Sequence, residues 1–457
     1  MPFNIGLSGL NAAAADLKTT GNNIANVATT GFKQSRTEFG DIFTRSYGTI
    51  SRTNSGAGVR VVATTQQFTQ GTLEFSGNSL DLSITGRGFF VLNSAGNNDN
   101  VYTRAGAIQV DNEGYLVNNG APPLRIQGFP PVDPSDPNSA FQTGLLSDMQ
   151  LNLADSPPRS SSEVNAQINL RSDAMEPLDN EDPPVRIPFD TTDPDSYNFS
   201  TSTTIYDSLG TPLALTTFFV KTDVAGAWEM YTNVDGVTVT PDDPPEDAPI
   251  GPTTVSFDTN GKMTSPALLT QPDLDDPSNT HVPIELDLTG YMPLSNNARL
   301  GSIDPETGEG DGIIKLDLSG TTQYGQKYAV SSLEQDGYTT GRITGVDADE
   351  EGVLFVRYSN GRALPLGQVA LADFDNTQGL QQIGDTSWAE TTASGNPVIF
   401  SPGTGSLGNI QGGALETSNV DLATELVHLI TAQRNYQANS KTISAADTIT
   451  QAILNIQ

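Results

Sequence analysis

The chain has two histidines, His281 on a proline-flanked stretch and His428 among helix-forming residues. Neither has a second ligand type clustered near it, as a metal centre or an acid–base site requires, and both read as ordinary exposed or packed side chains. Cysteine is absent, which removes disulfides, thiolate metal sites and thiol nucleophiles together. Gly403, Gly405 and Gly408 spell a GxGxxG. They follow Ser401-Pro402 and precede NIQGG rather than a helix start, so the dinucleotide reading fails its structural requirement. Asp347, Asp349, Glu351 and Gly352 resemble the start of a calcium loop, but the closing glutamate position holds Tyr358 and no helices flank it, so the stretch is expected to be a hairpin turn. Pairs of carboxylates at glycosidase spacing arise by chance on any strongly acidic surface. The sequence therefore predicts no catalytic, cofactor or metal site, and an enzyme is the less favoured class.

The charge balance narrows the partners. A net charge of −32 and a pI near 4.1 oppose binding to nucleic acid, which needs clustered Lys and Arg, and equally oppose an anionic membrane surface. No apolar run of about 18 residues is present to cross a membrane, and no basic stretch with a cleavage site marks a secretory leader. Both ends are nearly neutral and the acidity sits in the middle. Helices that pack densely against copies of themselves avoid like-charge repulsion, whereas an outer surface carries a solubilising field. Growth at high salt is a second source of such acidity.

The elements that organise the chain are its two ends. Phe3, Leu7, Leu10, Ala14, Leu17, Gly21 and Ile24 alternate steps of four and three, predicting an amphipathic helix that Gly21, Asn22 and Asn23 weaken at its end. Leu422, Leu426, Leu429, Tyr436 and Ile443 follow heptad-compatible steps in a second helix of about 38 residues, roughly 55 Å at 1.5 Å per residue. Two readings follow from pattern alone: the helices pair with each other and close one domain, or they pack against helices of other copies.

The segments SGLNAAAADLKTTGNNIANVATTGFK (Ser8 to Lys33) and SNVDLATELVHLITAQRNYQANSKTISAADTITQAILN (Ser418 to Asn455) resemble the paired terminal signatures of the flagellar axial proteins, the rod, hook and hook-associated family. SLDLSITGRGFFVLN and YTRAGAIQVDNEGYLVNNG, within Ser79 to Gly120, resemble the β-domain motif that its members share. Asp336 to Leu380 is similar to the segment in which such chains return to that domain. The short element Phe3 to Leu7 is similar to the Phe-x-x-x-hydrophobic signal of flagellar export substrates; by residues alone Phe3 and Leu7 are also simply the first helix turn.

Between the ends the sequence predicts a mainly β, α+β protein with discontinuous, nested β-domains. Residues 1–32 and 415–457 form a helical core domain, with Leu7, Leu10, Leu17, Ile24, Leu422, Leu426, Leu429, Tyr436 and Ile443 as its assembly seam. Residues 33–70 and 401–414 read as an extended connector carrying a hairpin or arm, the Gly-rich 401–413 stretch relaxing the chain into the last helix. Residues 71–155 and 337–400 form a first β-domain, and 156–336 an inserted outer β-domain with an acidic turn at Pro241 to Pro249. Proline-rich Pro130 to Pro137 marks a plausible boundary.

The resemblance implies a structural subunit that self-assembles into a curved helical tube and passes motor torque as a universal joint. The large insertion between about Asp155 and Asp336 favours a hook-type over a shorter distal-rod-type subunit. A secreted adhesive or glycan-binding β-protein on the same export route is the reading from another class. Implied partners are many copies of itself, the distal rod, the hook cap, the hook–filament junction protein and the type III export gate. The implied location is the extracellular hook, reached without a cleaved signal peptide. Free subunits would lack the core contacts, so the ends are expected to order on assembly.

Overall fold

The computed structural model describes residues 2–42, 56–94, 99–235, 237–239, 252–265, 283–288, 298–303 and 310–454. His281, the acidic turn at 241–249 and the outer part of the expected arm lie outside the described residues. The chain divides into two compact units, residues 1–153 with 343–457, and residues 154–342.

In the first unit, helix α1 (Pro2–Ala25) and helix α2 (Leu422–Leu454) pack along each other. Proline at the first turn and an Ala12–Ala15 run favour α1. Asp421 caps α2, its Oδ1 accepting the Thr424 N–H at 2.6 Å, and these bonds hold its carboxyl below the usual range. The expected weakening at Gly21 does not end α1. Asn23 is buried, its Nδ2 donating to the Ser35 carbonyl at 2.8 Å while its Oδ1 accepts the Ser35 N–H at 3.0 Å. That reciprocal pair joins the last turn of α1 to strand β1 (Ser35–Asp41), which pairs antiparallel with β2 (Val59–Gln66). The hairpin packs on α1, so the described part of the 33–70 connector is ordered structure laid on the helix.

The β-part of this unit interleaves both halves of the chain in one sheet. Its order runs Ile343–Ala348, Val353–Tyr358, Ala363–Val369, then Arg125–Phe129, Phe89–Asn93 and Asn100–Thr103, then Ser387–Ala389 and Gln381–Gly384. The run Phe89-Phe90-Val91-Leu92 is buried throughout, Phe90 and Leu92 facing one core and Phe89 and Val91 a second that holds Tyr102, Phe374 and Trp388, as expected of a strand covered on both sides. The Gly-rich 401–414 stretch departs from its expectation. Asn409–Gly412 pairs with Leu82–Thr85, and Ala414–Glu416 pairs with Leu73–Phe75; alternate side chains Ile410 and Ala414 are buried, and that burial outweighs the flexibility of the glycines. Pro130–Pro137 is a loop within this unit, closed by bridging of Pro131 with Phe141.

The second unit is all β among its described residues, apart from one short 3₁₀ turn at Pro194–Ser196. Phe199–Tyr206, Pro212–Lys221, Ala227–Val234, Thr253–Phe257 and Met263–Ser265 form an antiparallel meander. Glu163–Arg171 centres a second sheet, parallel to Ile313–Asp317 and Thr322–Tyr324 and antiparallel to Ala329–Gln335. Alternation along Glu163–Arg171 buries Val164, Ala166, Ile168 and Leu170, which join Phe219, Trp228 and Leu316 in one core. Residues 154–342 carry 31 acidic and 9 basic residues, a net of −22 out of −32, so most of the acidity belongs to this unit. The calcium-like stretch is a hairpin turn, Asp349 Oδ1 accepting the Val353 N–H at 2.8 Å with Gly352 at φ 78°, and of the GxGxxG glycines Gly403 and Gly405 lie in turns while Gly408 directly precedes a strand.

Candidate assembly site

The helix pair is antiparallel and joined by small and polar residues. A Cβ on Gly6 would sit 3.0 Å from Ile443 Cγ1, and one on Gly9 would sit 2.5 Å from Asn439 Oδ1; Ala12, Ala13, Thr20 and Asn23 are buried on α1, and Glu425 and Ala432 on α2. Nearer the middle, burial raises the Asp16 carboxyl while the charge of His428 on α2 opposes it. Glycine and alanine on α1 let the two backbones approach closely, with Ile443 seated at Gly6.

The sequence-derived seam is therefore divided. Leu10, Leu17, Ile24, Leu429 and Ile443 are half-buried, and Ile443 meets α1 at Gly6. Leu7, Leu422 and Leu426 remain 42%, 44% and 44% exposed, and Tyr436 is exposed too. Phe3 and Ile5, and Val427, Ile430 and Ile449, add to this uncovered apolar surface. Isolated exposed apolar side chains are ordinary, but this many large ones on one pair of helices mark an interaction surface.

Beneath the helices lies a polar junction that sequence reading did not find. Glu416 is fully buried and receives two cations, Lys33 Nζ at 2.6 Å and Arg104 Nη1 at 3.3 Å. Lys33 also donates to the Thr69 carbonyl at 2.8 Å, the Gly71 N–H donates to Glu416 Oε1 at 2.7 Å, and the Gly31 N–H donates to the Glu416 carbonyl at 2.8 Å. Burial lowers the Lys33 ammonium, Glu416 opposing that shift and Arg104 adding to it. Alongside, Asn419 Oδ1 accepts the Gln34 N–H at 2.7 Å while its Nδ2 donates to the Gln67 carbonyl at 2.8 Å, and Gln34 Nε2 donates to Glu425 of α2. The exit of α1, the chain after β2, the β-domain and the entry to α2 thus meet on one carboxylate. The only trace of this in sequence is that Lys33 is one of few charges in a nearly neutral end.

Two glycines make the crossing possible. Gly31 has φ 69°, and a Cβ there would lie 2.6 Å from Ala105 N; a Cβ on Gly71 would lie 2.0 Å from the Thr417 carbonyl oxygen. Gly71→Ala forces backbone apart and is expected to destabilise the first unit by about 1–3 kcal/mol, as overpacking does. Gly9→Ala meets only a rotatable Asn439 side chain, and its cost is expected to stay below about 1 kcal/mol. Urea midpoints of the two variants read this order directly, and equal midpoints would refute it.

Two terminal helices with an uncovered apolar face, tied to the β-part of the first unit at a buried junction, define a protein with a surface for further protein contact. Family profiles match along the chain: Flagella basal body rod protein at residues 3–33, Flagellar hook protein FlgE/F/G D1 domain at 83–135, Flagellar basal body protein FlaE D2 domain at 169–338, and Flagellar basal body rod FlgEFG protein C-terminal at 411–456. The flagellar hook protein FlgE of Escherichia coli is 33% identical with both chains covered in full. That of Borreliella burgdorferi is 32% identical over 99% of this chain and 98% of its own. A solved Helicobacter pylori hook protein FlgE2 aligns at 16% identity and a TM-score of 0.49, covering 75% of this chain and 100% of that one. The chain belongs to the flagellar hook protein family.

Among the described residues no group of three or more His, Cys, Asp or Glu is placed to hold a metal ion, and no helix is long and apolar enough to cross a membrane.

Proposed function

We propose that this chain is the building subunit of a flagellar hook, a curved tube of many copies whose inner wall is made by the paired terminal helices. The observation that carries this is the division of the helical apolar surface. Small residues satisfy the intrachain contact, while Leu7, Leu422, Leu426 and Ile430 are left for neighbours. A repeated contact that does not close on itself generates a helical filament. The nearly neutral terminal helices suit that inner wall, and most of the acidity lies in residues 154–342. Beyond other copies, the family likeness supports the distal rod, the hook cap, the hook–filament junction protein and the export gate as partners. Phe3 and Leu7, in the first turns of α1, are offered as the export signal on their similarity to the Phe-x-x-x-hydrophobic element.

Removing residues 156–336 tests this reading. The shortened chain is expected to assemble into a tube of altered curvature or stiffness, seen by negative-stain electron microscopy at the flagellar base. Loss of all polymer while the remaining unit stays folded would overturn the assignment of assembly to the helices.

A further inference from the structure

A cleft of about 570 Å³ opens in the first unit where α1 ends, within the range of about 300–1,000 Å³ that clefts holding a ligand occupy. Its walls come from three separate places: Asn22 and Thr30 at the exit of α1, Asn119 of the loop after Leu116–Asn118, and the two-residue turn Asp385-Thr386. The turn residues lie at φ 47° and 50°, a left-handed conformation that a β-branched threonine adopts only under constraint. Thr103 helps to supply that constraint, its hydroxyl donating to the Thr386 carbonyl at 2.8 Å. Asp385 is the single titratable side chain in the lining, which is otherwise mainly amides, hydroxyls and small residues with Phe32.

Such a lining selects by chemistry. Side-chain amides offer donors and acceptors together, as a peptide backbone does, and one carboxylate gives no purchase for an anion or a multiply charged cation. In a chain of net charge −32, contact between copies is favoured where few charges oppose each other, and this cleft adjoins the helix that assembly covers. We propose that the cleft receives an extended, uncharged segment of a second copy of this chain, and so forms a contact between subunits in addition to the helical core. This inference rests on the polymeric reading above.

The absence of native cysteine makes the test clean. Thr30→Cys and Asn119→Cys, on different walls, and Asp173→Cys on the exposed surface of the second unit as a control, are each doped at a minor fraction into unaltered subunits. Maleimide labelling is compared before and after polymerisation, and a benzophenone maleimide with isotope-labelled neighbours identifies cross-linked peptides. Both cleft positions are expected to label about tenfold or more slowly in the polymer, because a close-packed interface excludes reagent, and to cross-link to a neighbouring copy, while Asp173→Cys changes less. Undiminished labelling of the cleft positions in the polymer, or cross-links confined to the same chain, would overturn the proposal. Failure of unaltered subunits to polymerise would instead count against the hook assignment, so the two failures are distinguishable.

Discussion

Replacing Leu422 and Leu426 together by aspartate is expected to abolish polymer formation while leaving the subunit folded. Both side chains are 44% exposed in the single chain, and α2 meets α1 at Asn439 and Ile443 instead, opposite Gly9 and Gly6. The substitutions therefore cost little in the isolated subunit. In the proposed tube the remaining 44% of each leucine would be covered, and since full burial of one stabilises by roughly 1.5–3 kcal/mol, that step contributes about 0.7–1.3 kcal/mol each. Loss of both weakens the repeated contact by about 1–3 kcal/mol, which raises the critical concentration by roughly 10–10² at 1.4 kcal/mol per factor of ten. Desolvating two new carboxylates adds to that penalty. Sedimentation of polymer against subunit concentration gives the number, and circular dichroism with tryptophan fluorescence shows that the β-units persist. Leu422→Met with Leu426→Met keeps the apolar surface and is expected to polymerise nearly as the parent does. Assembly of the aspartate variant at an unchanged critical concentration would remove this face of α2 from the interface.

The second large effect is expected at Glu416. Glu416→Ala leaves Lys33 and Arg104 buried without their anion and strips an acceptor from the Gly71 N–H. Breaking a buried pair by removing one partner costs about 3–5 kcal/mol, which for a unit of this size corresponds to a fall in melting temperature of roughly 6–20 °C at 2–4 °C per kcal/mol. The loss should be confined to one unit. The chain has two tryptophans, Trp388 in the core of the first unit and Trp228 in that of the second. A Trp228→Phe background therefore reports the first unit and a Trp388→Phe background the second. The Trp388 transition is expected to shift and the Trp228 transition to stay. Glu416→Gln, which keeps the acceptor for Gly71 and Lys33 but not the charge, should fall between the parent and alanine. A shift of neither transition would show that the junction does not hold the first unit, and an equal shift of both would show that its effect is not confined to that unit.

These two sites stand at opposite ends of what sequence reading reaches. The helical stripes were legible because helix periodicity is local: Leu7, Leu10 and Leu17 report one face by spacing alone. The β-rich middle, its insertion and the nested return were legible from turn residues and from the resemblance of Ser79–Gly120 and Asp336–Leu380 to axial subunits. The Glu416 junction was not. Its ion pair joins positions 33 and 416, and no local pattern couples residues so far apart. The order of the connectors was missed for a related reason. Glycine and serine in 401–414 signal freedom of the backbone, but Ile410 and Ala414 find burial only when the strands 82–85 and 73–75 are beside them.

By itself, then, the sequence determined the two terminal helices, the mainly β interior with one large insertion, the acidic character of the middle, and the absence of any thiol. All of these depend on composition or short-range periodicity. Only the tertiary structure decided which face of α1 meets α2, that Gly6 and Gly9 lie in that contact while Leu7, Leu422 and Leu426 stay exposed, and that Lys33, Arg104 and Glu416 share one buried site. A stripe of apolar residues states that a partner exists. Which partner it is depends on backbone approach and on which side chains remain uncovered, and both are set by the packing of segments brought together from across the chain.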